Sequence, residues 1–196
     1  MTAALKLELQ EKQDWTVDDL ASLPKDLRYE LINGRLILPS PTPFHQFVGH
    51  RVASALEVGC PEEFFISTDQ SVAVGTYNEP RPDVVVIRAE GANRTPVESA
   101  DVLLAVEVIS PESTIRDRRE KAKLYAAEGI AAYWVIDPLA PQVTFGEFLL
   151  GDDGRYHRTL ETDGLVTIDR PWKTTLDLPE WTRRRDWLRA KARPKE

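Results

Sequence analysis

A glutamate stands inside an apolar run that is otherwise typical of a buried strand. The run is LLAVEVISPEST, residues 103–114, and Glu107 lies near its middle. A carboxylate that is buried in such a strand loses its hydration, and this loss is costly unless the charge is paired or holds a metal ion. Glu107 is therefore the first candidate for chemistry, and its partners must be found elsewhere in the chain.

Asp83 is the first candidate partner, because it begins another apolar run, DVVVI, over residues 83–87. Side chains alternate between the two faces of a strand, so Glu107 shares a face with Ala105 and Ile109. If the two strands are neighbours, the carboxylates of Asp83 and Glu107 converge. Two convergent carboxylates suit a hard cation such as Mg²⁺. Such an ion can activate water and stabilise charge on a phosphodiester.

A cation for the same site is predicted on the following helix. The stretch TIRDRREKAKLYAAEG, residues 114–129, is typical of a helix that ends near its glycine. Asp117, Lys121 and Tyr125 follow one another at i, i+4 spacing and so share a face. If that face turns toward Glu107, the Lys121 amine can orient a nucleophile or stabilise the charge of a reacting phosphate.

The remaining patterns predict the elements that must position these residues. Thr16 and Asp19 indicate the start of a short helix, and Asn33-Gly34 indicates a hairpin turn. The predicted order is a short helix, the hairpin 28–40, a helix over 44–58, strands at 63–67, 70–75, 83–87 and 103–109, the helix 114–129, strands at 130–137, 142–149, 155–160 and 164–168, and a basic helix over 178–192. This order favours an α/β domain with a mixed central sheet flanked by helices, an N-terminal hairpin and a C-terminal β extension.

Composition restricts the class of protein. The 196 residues suit one domain, which we expect over residues 15–196 after a flexible N-terminal arm over residues 1–14. The chain has one cysteine, no apolar run of membrane-spanning length and no secretion signal. These features favour a cytoplasmic protein without disulfides. The net charge is −7, so any nucleic acid must bind a local basic patch, for which the helix 116–123 and the arginine-rich C-terminus are candidates.

Several of these motifs together resemble a known family. RPDVVVI, LLAVEVISPEST and DRREKAKLYAAEGIAAYWVIDP, with YELINGRLI and TPFHQFVGHRVASAL before them, resemble the Uma-type family of bacterial putative restriction endonucleases, which belongs to the PD-(D/E)xK nuclease superfamily. The resemblance covers roughly residues 15–178. It implies a restriction-endonuclease-like fold, dependence on Mg²⁺ with Mn²⁺ as a substitute, DNA as substrate, and an ability to form homodimers.

The resemblance also assigns roles to individual residues. Asp83 is similar to the metal-binding aspartate of the Pro-Asp motif, and Glu107 to the acidic residue of (D/E)xK. Ile109 stands where the superfamily's lysine is usual, and Lys121 matches the helix lysine that takes this role in the Uma-type family. Glu30 matches a family acidic position that adds a contact at or near the metal.

The leading interpretation is a metal-dependent endonuclease that hydrolyses DNA phosphodiester bonds, with Asp83, Glu107, Lys121 and Glu30 as catalytic residues. The missing lysine at position 109 keeps a second interpretation open, a non-catalytic nuclease-fold module that binds nucleic acid or protein. The acidic charge keeps a third open, a phosphoesterase that acts on small nucleotides. His45 stands at the start of a helix, from which it could approach a phosphate or the edge of the site, but a structural or surface histidine is the favoured interpretation.

Overall fold

The structure of the chain, a computed structural model, describes residues 12–111, 113–114 and 116–192, and for residues 117 and 118 it describes only the backbone. The predicted arm over residues 1–14 lies mostly outside these ranges. Where the description begins, the Lys12 amine is 3.0 Å from the Asp19 carboxylate and 4.2 Å from the centre of the Trp15 ring. From Lys12 onward, therefore, the chain is in contact with the domain.

The described residues form both strands and helices. The strands are, in chain order, β1 (Glu30–Ile32), β2 (Arg35–Ile37), β3 (Phe64–Thr68), β4 (Val72–Ala73), β5 (Val84–Arg88), β6 (Val97–Glu98), β7 (Val102–Val108), β8 (Ala132–Asp137), β9 (Thr144–Leu150), β10 (Tyr156–Thr162), β11 (Leu165–Ile168) and β12 (Thr174–Asp177). The helices are α1 (Pro43–Glu57), α2 (Lys121–Ala127) and α3 (Leu178–Ala192), with 3₁₀ turns at Val17–Ser22, Ala89–Gly91 and Ser99–Asp101. Within the described ranges, no helix is both long enough and apolar enough to cross a membrane.

Six strands form a central sheet in the order β10-β9-β8-β7-β5-β3. β7 and β8 run parallel, and every other neighbouring pair in this sheet is antiparallel. A parallel pair needs a crossover connection, and α2 provides it between β7 and β8. The mixed central sheet expected from the sequence is confirmed.

Both faces of the sheet are covered, which explains the continuous apolar runs of the central strands. Leu104, Val106 and Val108 of β7 pack on the face that α1 and the C-terminal elements cover. Ala105 and Ile109 lie on the opposite face, in the same apolar cluster as residues of α2. Glu107 lies between Val106 and Val108 in the strand, so its side chain points to the opposite face, the one that α2 covers.

The N-terminal hairpin formed by β1 and β2 is attached to the segment that leads into β5. Asn33 and Gly34 have φ values of +50° and +72° and form the predicted two-residue turn. Two backbone hydrogen bonds join Leu31 to Glu79, at 3.1 and 2.8 Å. Because of this pairing, the buried Glu30 of β1 is held beside the central sheet.

Two parts of the chain differ from the sequence-based expectation. The predicted helix 114–129 begins as a π-helical turn, Arg116–Glu120, and becomes α-helical only at Lys121. The predicted strands 142–149 and 155–160 correspond to β9 and β10 of the central sheet, and the C-terminal extension is the separate hairpin of β11 and β12. β12 has no strong apolar signal of its own, because Leu176 is the one apolar residue in its sequence TTLD.

Candidate active site

A cavity of about 480 Å³ opens at the C-terminal end of β7, next to β1 and the first turns of α1 and α2. Glu30, Asp83, Glu107 and Lys121 all line this cavity. The four residues come from distant parts of the sequence. The structure thus brings together every residue that the sequence analysis selected as a candidate for catalysis.

Asp83 stands opposite Glu107 on the neighbouring strand. β5 and β7 are antiparallel, and Val84 is the register partner of Val106, so the next pair outward is Asp83 and Glu107. The backbone N–H of Val108 donates a hydrogen bond of 2.7 Å to Oδ2 of Asp83. This bond fixes the Asp83 carboxylate beside the C-terminal end of β7, where a quarter of its side chain remains exposed.

Glu107 is buried, and two donors on α2 satisfy its carboxylate. The Lys121 amine lies 2.9 Å from Oε2, and the Tyr125 hydroxyl donates a bond of 2.8 Å to Oε1. Burial, and then the charge of Glu107, raise the pKa of Tyr125 well above its ordinary value, so the phenol stays protonated and remains a donor. The i, i+4 spacing of Lys121 and Tyr125 therefore places both groups on one carboxylate, as the helical pattern predicts.

Glu30 shares the Lys121 amine with Glu107. Its Oε1 atom is 2.5 Å from Lys121 Nζ and also accepts a 3.0 Å hydrogen bond from the backbone N–H of Arg81. Its Oε2 atom is 3.7 Å from Arg116 Nε. The side chains of Lys121, Glu107 and Glu30 are at most 5% exposed, so the Lys121 amine links two carboxylates away from water.

Ile109, which stands in the place of the superfamily's lysine, cannot contribute an amine. It is almost fully buried in the apolar cluster on the α2 face. The amine comes instead from Lys121, at the first position of α2, immediately after the π-helical turn. Turns of this kind often occur at functional sites in helices. The side chain of Asp117, which was expected on the same face, lies outside the described part of the structure.

His45 also belongs to the cavity, although the sequence analysis assigned it a structural or surface role. Thr42 caps the start of α1 by accepting a hydrogen bond from the His45 backbone N–H. The His45 Nε2 atom is 2.7 Å from the carbonyl oxygen of Val108 and 3.4 Å from Oδ2 of Asp83. Val108 is 63 residues away in the chain, so no local pattern could have revealed this contact.

Arginines form one wall of the cavity. Arg28, Arg81 and Arg116 all line it, and Asp69 lies 2.6 Å from the guanidinium of Arg28 and 3.4 Å from that of Arg81. Nη1 of Arg81 is buried and makes no hydrogen bond to the described residues. Because this nitrogen has almost no exposed surface, a phosphate oxygen can reach it only after the side chain or the cavity wall shifts. Arg81 lies two residues before Asp83, and that proximity is the signal that the sequence analysis overlooked.

The donor atoms are compatible with a magnesium ion. Among the described residues, no three His, Cys, Asp or Glu side chains are grouped closely enough to hold a metal by themselves. Mg²⁺ does not need such a group, because it usually keeps several waters and binds one or two carboxylates together with substrate phosphates. The described contacts of the Asp83 carboxylate all involve Oδ2, so Oδ1 can accept a further ligand. Asp83 and Glu107 together fit a hydrated ion.

Comparison with known families agrees with this geometry. A family model described as Uma2, putative restriction endonuclease, matches residues 16–178. The chain belongs to the Uma2 family. All of the cavity residues described above fall within the match, whereas most of α3 lies beyond it.

A solved structure has the same fold as this Uma2 member. It is the crystal structure of a putative nuclease belonging to DUF820 from Anabaena variabilis ATCC 29413. The two chains are 18% identical, the alignment covers 86% of this chain and 92% of the other, and the TM-score is 0.60. Among curated proteins, none is significantly similar to this chain in sequence. At this identity the likeness shows the fold alone.

Proposed function

We propose that this Uma2 member is a metal-dependent endonuclease that hydrolyses DNA phosphodiester bonds. One observation carries the proposal: the Asp83 and Glu107 carboxylates stand opposite each other in a cavity, and the Lys121 amine lies 2.9 Å from Glu107. Two acidic groups and one amine are the set that the resemblance to the PD-(D/E)xK superfamily requires. Membership of a family of putative restriction endonucleases supports the reaction class.

Asp83 and Glu107 are the residues that would hold the metal. A bound Mg²⁺ or Mn²⁺ supplies Lewis acidity and lowers the pKa of a coordinated water. Asp83 is suited to this task because a backbone N–H orients one of its oxygens while the side chain remains partly exposed. Glu107 is suited because Tyr125 and Lys121 prevent it from rotating.

Lys121 and the arginines would act on the phosphate itself. The Lys121 ammonium is already fixed by two carboxylates, so it can stabilise the negative charge of the reacting phosphate without first reorganising. Arg81 lines the cavity and would orient a non-bridging oxygen of the phosphodiester once its buried Nη1 is uncovered. His45 holds the Val108 carbonyl and lies beside Asp83, and in this way it positions the end of β7.

Basic residues balance the acidic residues of the cavity, so the cavity is less acidic than the chain, whose net charge is −7. Arg28, Arg81 and Arg116 are gathered around one cavity, and phosphate contacts supply most of the affinity of proteins for nucleic acids. DNA is the substrate class that this arginine wall and the family resemblance both support.

Cleavage of supercoiled plasmid with Mg²⁺ or Mn²⁺ tests the proposal. Wild-type protein should nick or linearise the plasmid, and Asp83→Asn and Glu107→Gln should lower the rate by about 100-fold or more. Glu147→Gln is a matched control, because Glu147 is another buried strand glutamate but lies outside the cavity. If wild type cuts no DNA, or if the cavity variants cut as fast as Glu147→Gln, the proposal is wrong.

A non-catalytic binding module is the second candidate, and one observation favours it. Lys121 already balances Glu107 and Glu30, so the buried carboxylates do not depend on a metal for their pairing. Titration calorimetry separates the two functions. A nuclease should bind Mn²⁺ with an affinity that Asp83→Asn abolishes, whereas a module that lacks the metal site should release no heat of binding under the same conditions.

A further inference from the structure

A second groove continues from the candidate active site toward α3. Its volume is about 330 Å³, and it shares Ser40, His45 and Ser110 with the first cavity. We refer to it as the α3 groove, and it is lined by Phe44 at the start of α1, Leu139 after β8, and Leu188 and Arg189 of α3. The two cavities are therefore adjacent, and a strand with a phosphate in the first can place a neighbouring nucleotide in the second.

The walls of the α3 groove are apolar but incompletely covered. Leu139 and Leu188 are 42% and 39% exposed, which is unusual for large aliphatic side chains that face the same groove. Phe44 is half-buried next to them. Apolar surface that remains open beside a polar site commonly marks a place where a ligand binds. The ring of Phe44 offers a surface on which a nucleobase can stack, and the two leucines add apolar contact.

A buried arginine makes this groove rigid. The Arg185 guanidinium donates to the carbonyl oxygens of Pro138, Ala140 and Pro141 at 3.0, 2.6 and 2.7 Å, and thereby ties the loop after β8 to α3. These bonds occupy Arg185, so it is not available to a ligand. The groove is therefore formed before a ligand arrives.

A second arginine at the rim provides charge for a phosphate. Arg189 has a side chain that is 56% exposed, and its nearest acidic partner, Asp186, is 4.0 Å away. α3 as a whole carries five basic and two acidic side chains, in a chain whose net charge is −7. The positive charge is thus concentrated on the helix that borders the groove.

We infer that the α3 groove binds one unpaired nucleotide of a DNA strand next to the phosphate that is cleaved. The base lies between Leu139, Leu188 and Phe44, and Arg189 contacts the adjoining phosphate. The inference rests on the proposed nuclease function and adds to it a preference for strands that are single-stranded at the site. An unpaired base exposes its flat faces to such apolar walls, whereas the bases of a duplex are stacked on one another.

Binding of a short, fluorescently labelled single-stranded oligonucleotide tests the inference, measured by anisotropy without metal at several salt concentrations. Arg189→Ala should weaken binding and lower the slope of log affinity against log salt by about 0.7, the value for one phosphate contact on a single strand. Leu188→Gln should weaken binding by about 5-fold or more and leave the slope unchanged, because it removes only the apolar contact with the base.

Arg158→Ala is the matched control. Arg158 of β10 is 54% exposed and pairs with an acidic residue three positions away, as Arg189 does, but it lies far along the chain and outside both cavities. The Arg158→Ala variant should bind the oligonucleotide with the affinity of wild type and with the same slope of log affinity against log salt. A blunt duplex of the same sequence should bind more weakly than the single strand.

The outcomes separate the two proposals. If wild type cleaves plasmid but Arg189→Ala and Leu188→Gln bind the oligonucleotide as wild type does, the groove inference is wrong and the nuclease function stands. If the variants weaken binding but wild type cleaves no DNA, the groove is supported and the nuclease function fails. If wild type neither binds nor cleaves DNA, both proposals are refuted.

Discussion

Replacing Lys121 by methionine should destabilise the fold strongly, even though Lys121 is a charged residue. Methionine keeps most of the unbranched side chain and removes the ammonium group that Glu107 and Glu30 share. After the substitution, two carboxylates remain buried next to each other without their common cation. The Tyr125 hydroxyl and the backbone N–H of Arg81 still donate to them without adding charge, and the Arg116 guanidinium remains 3.7 Å from Glu30.

The magnitude follows from the burial of the three groups. Lys121, Glu107 and Glu30 have side chains that are 3%, 3% and 5% exposed, so solvent screens their interaction very little. Removing one partner of a buried ion pair costs about 3–5 kcal/mol, mostly because an uncompensated charge is left behind. Since Glu30 keeps the Arg116 guanidinium at 3.7 Å, we expect a loss within that range rather than twice as large, which is still a large share of a typical free energy of unfolding.

Equilibrium unfolding in urea, followed by tryptophan fluorescence, measures this loss. Lys123→Met is the matched control, because Lys123 lies on the same helix but is exposed, and its change should be within about 0.5 kcal/mol of zero. Adding Glu107→Gln to Lys121→Met should restore part of the lost stability, because the buried negative charge of Glu107 is then absent. A loss below about 1 kcal/mol for Lys121→Met, or no recovery in the double variant, would refute the buried triad.

Two further substitutions test the surroundings of the site. Tyr125→Phe removes a hydrogen bond to the charged Glu107 and should lower the free energy of unfolding by about 1.5–3 kcal/mol. Tyr156→Phe removes a bond to a neutral carbonyl and should lower it by about 0.5–1.5 kcal/mol. Equal losses in urea unfolding would contradict the contact between Tyr125 and a charged Glu107. Burial raises the pKa of Glu79 above its ordinary 4.5, so the wild-type fold loses stability as the pH rises through that raised value. The glutamine of Glu79→Gln does not titrate, so this variant should be more stable than wild type at neutral pH. The difference in free energy of unfolding should disappear below the ordinary carboxyl pKa. A difference that is independent of pH would show that the charge of Glu79 is not the cause.

Much of the sheet was predictable because its signals are local. The apolar runs that became β5, β7 and β8 are covered on both faces, and burial on both faces is what a continuous apolar run indicates. The alternation of side chains along the strand correctly predicted the sheet face on which Glu107 lies, and the i, i+4 spacing correctly predicted that Lys121 and Tyr125 share a helix face. Each of these inferences depends on residues that are close in sequence.

The parts of the site that escaped prediction depend on contacts between distant segments. His45 reaches Val108 across 63 residues, and Arg81 becomes a cavity residue only because the hairpin strand β1 packs beside it. The donor role of the Tyr125 hydroxyl was missed for a different reason, because a tyrosine at core spacing is usually explained by packing alone. The π-helical turn before Lys121 also has no composition that distinguishes it from an ordinary helix start.

The position of the metal is the most direct test of the proposed nuclease site. Crystals soaked in Mn²⁺ and measured near the manganese absorption edge should show one anomalous peak, bonded to carboxylate oxygens of both Asp83 and Glu107, with the Lys121 amine beside it. The same soak of Asp83→Asn crystals should show no peak there. A wild-type map without a peak between these carboxylates, with Lys121 still bridging Glu107 and Glu30, would contradict the proposed metal-dependent nuclease.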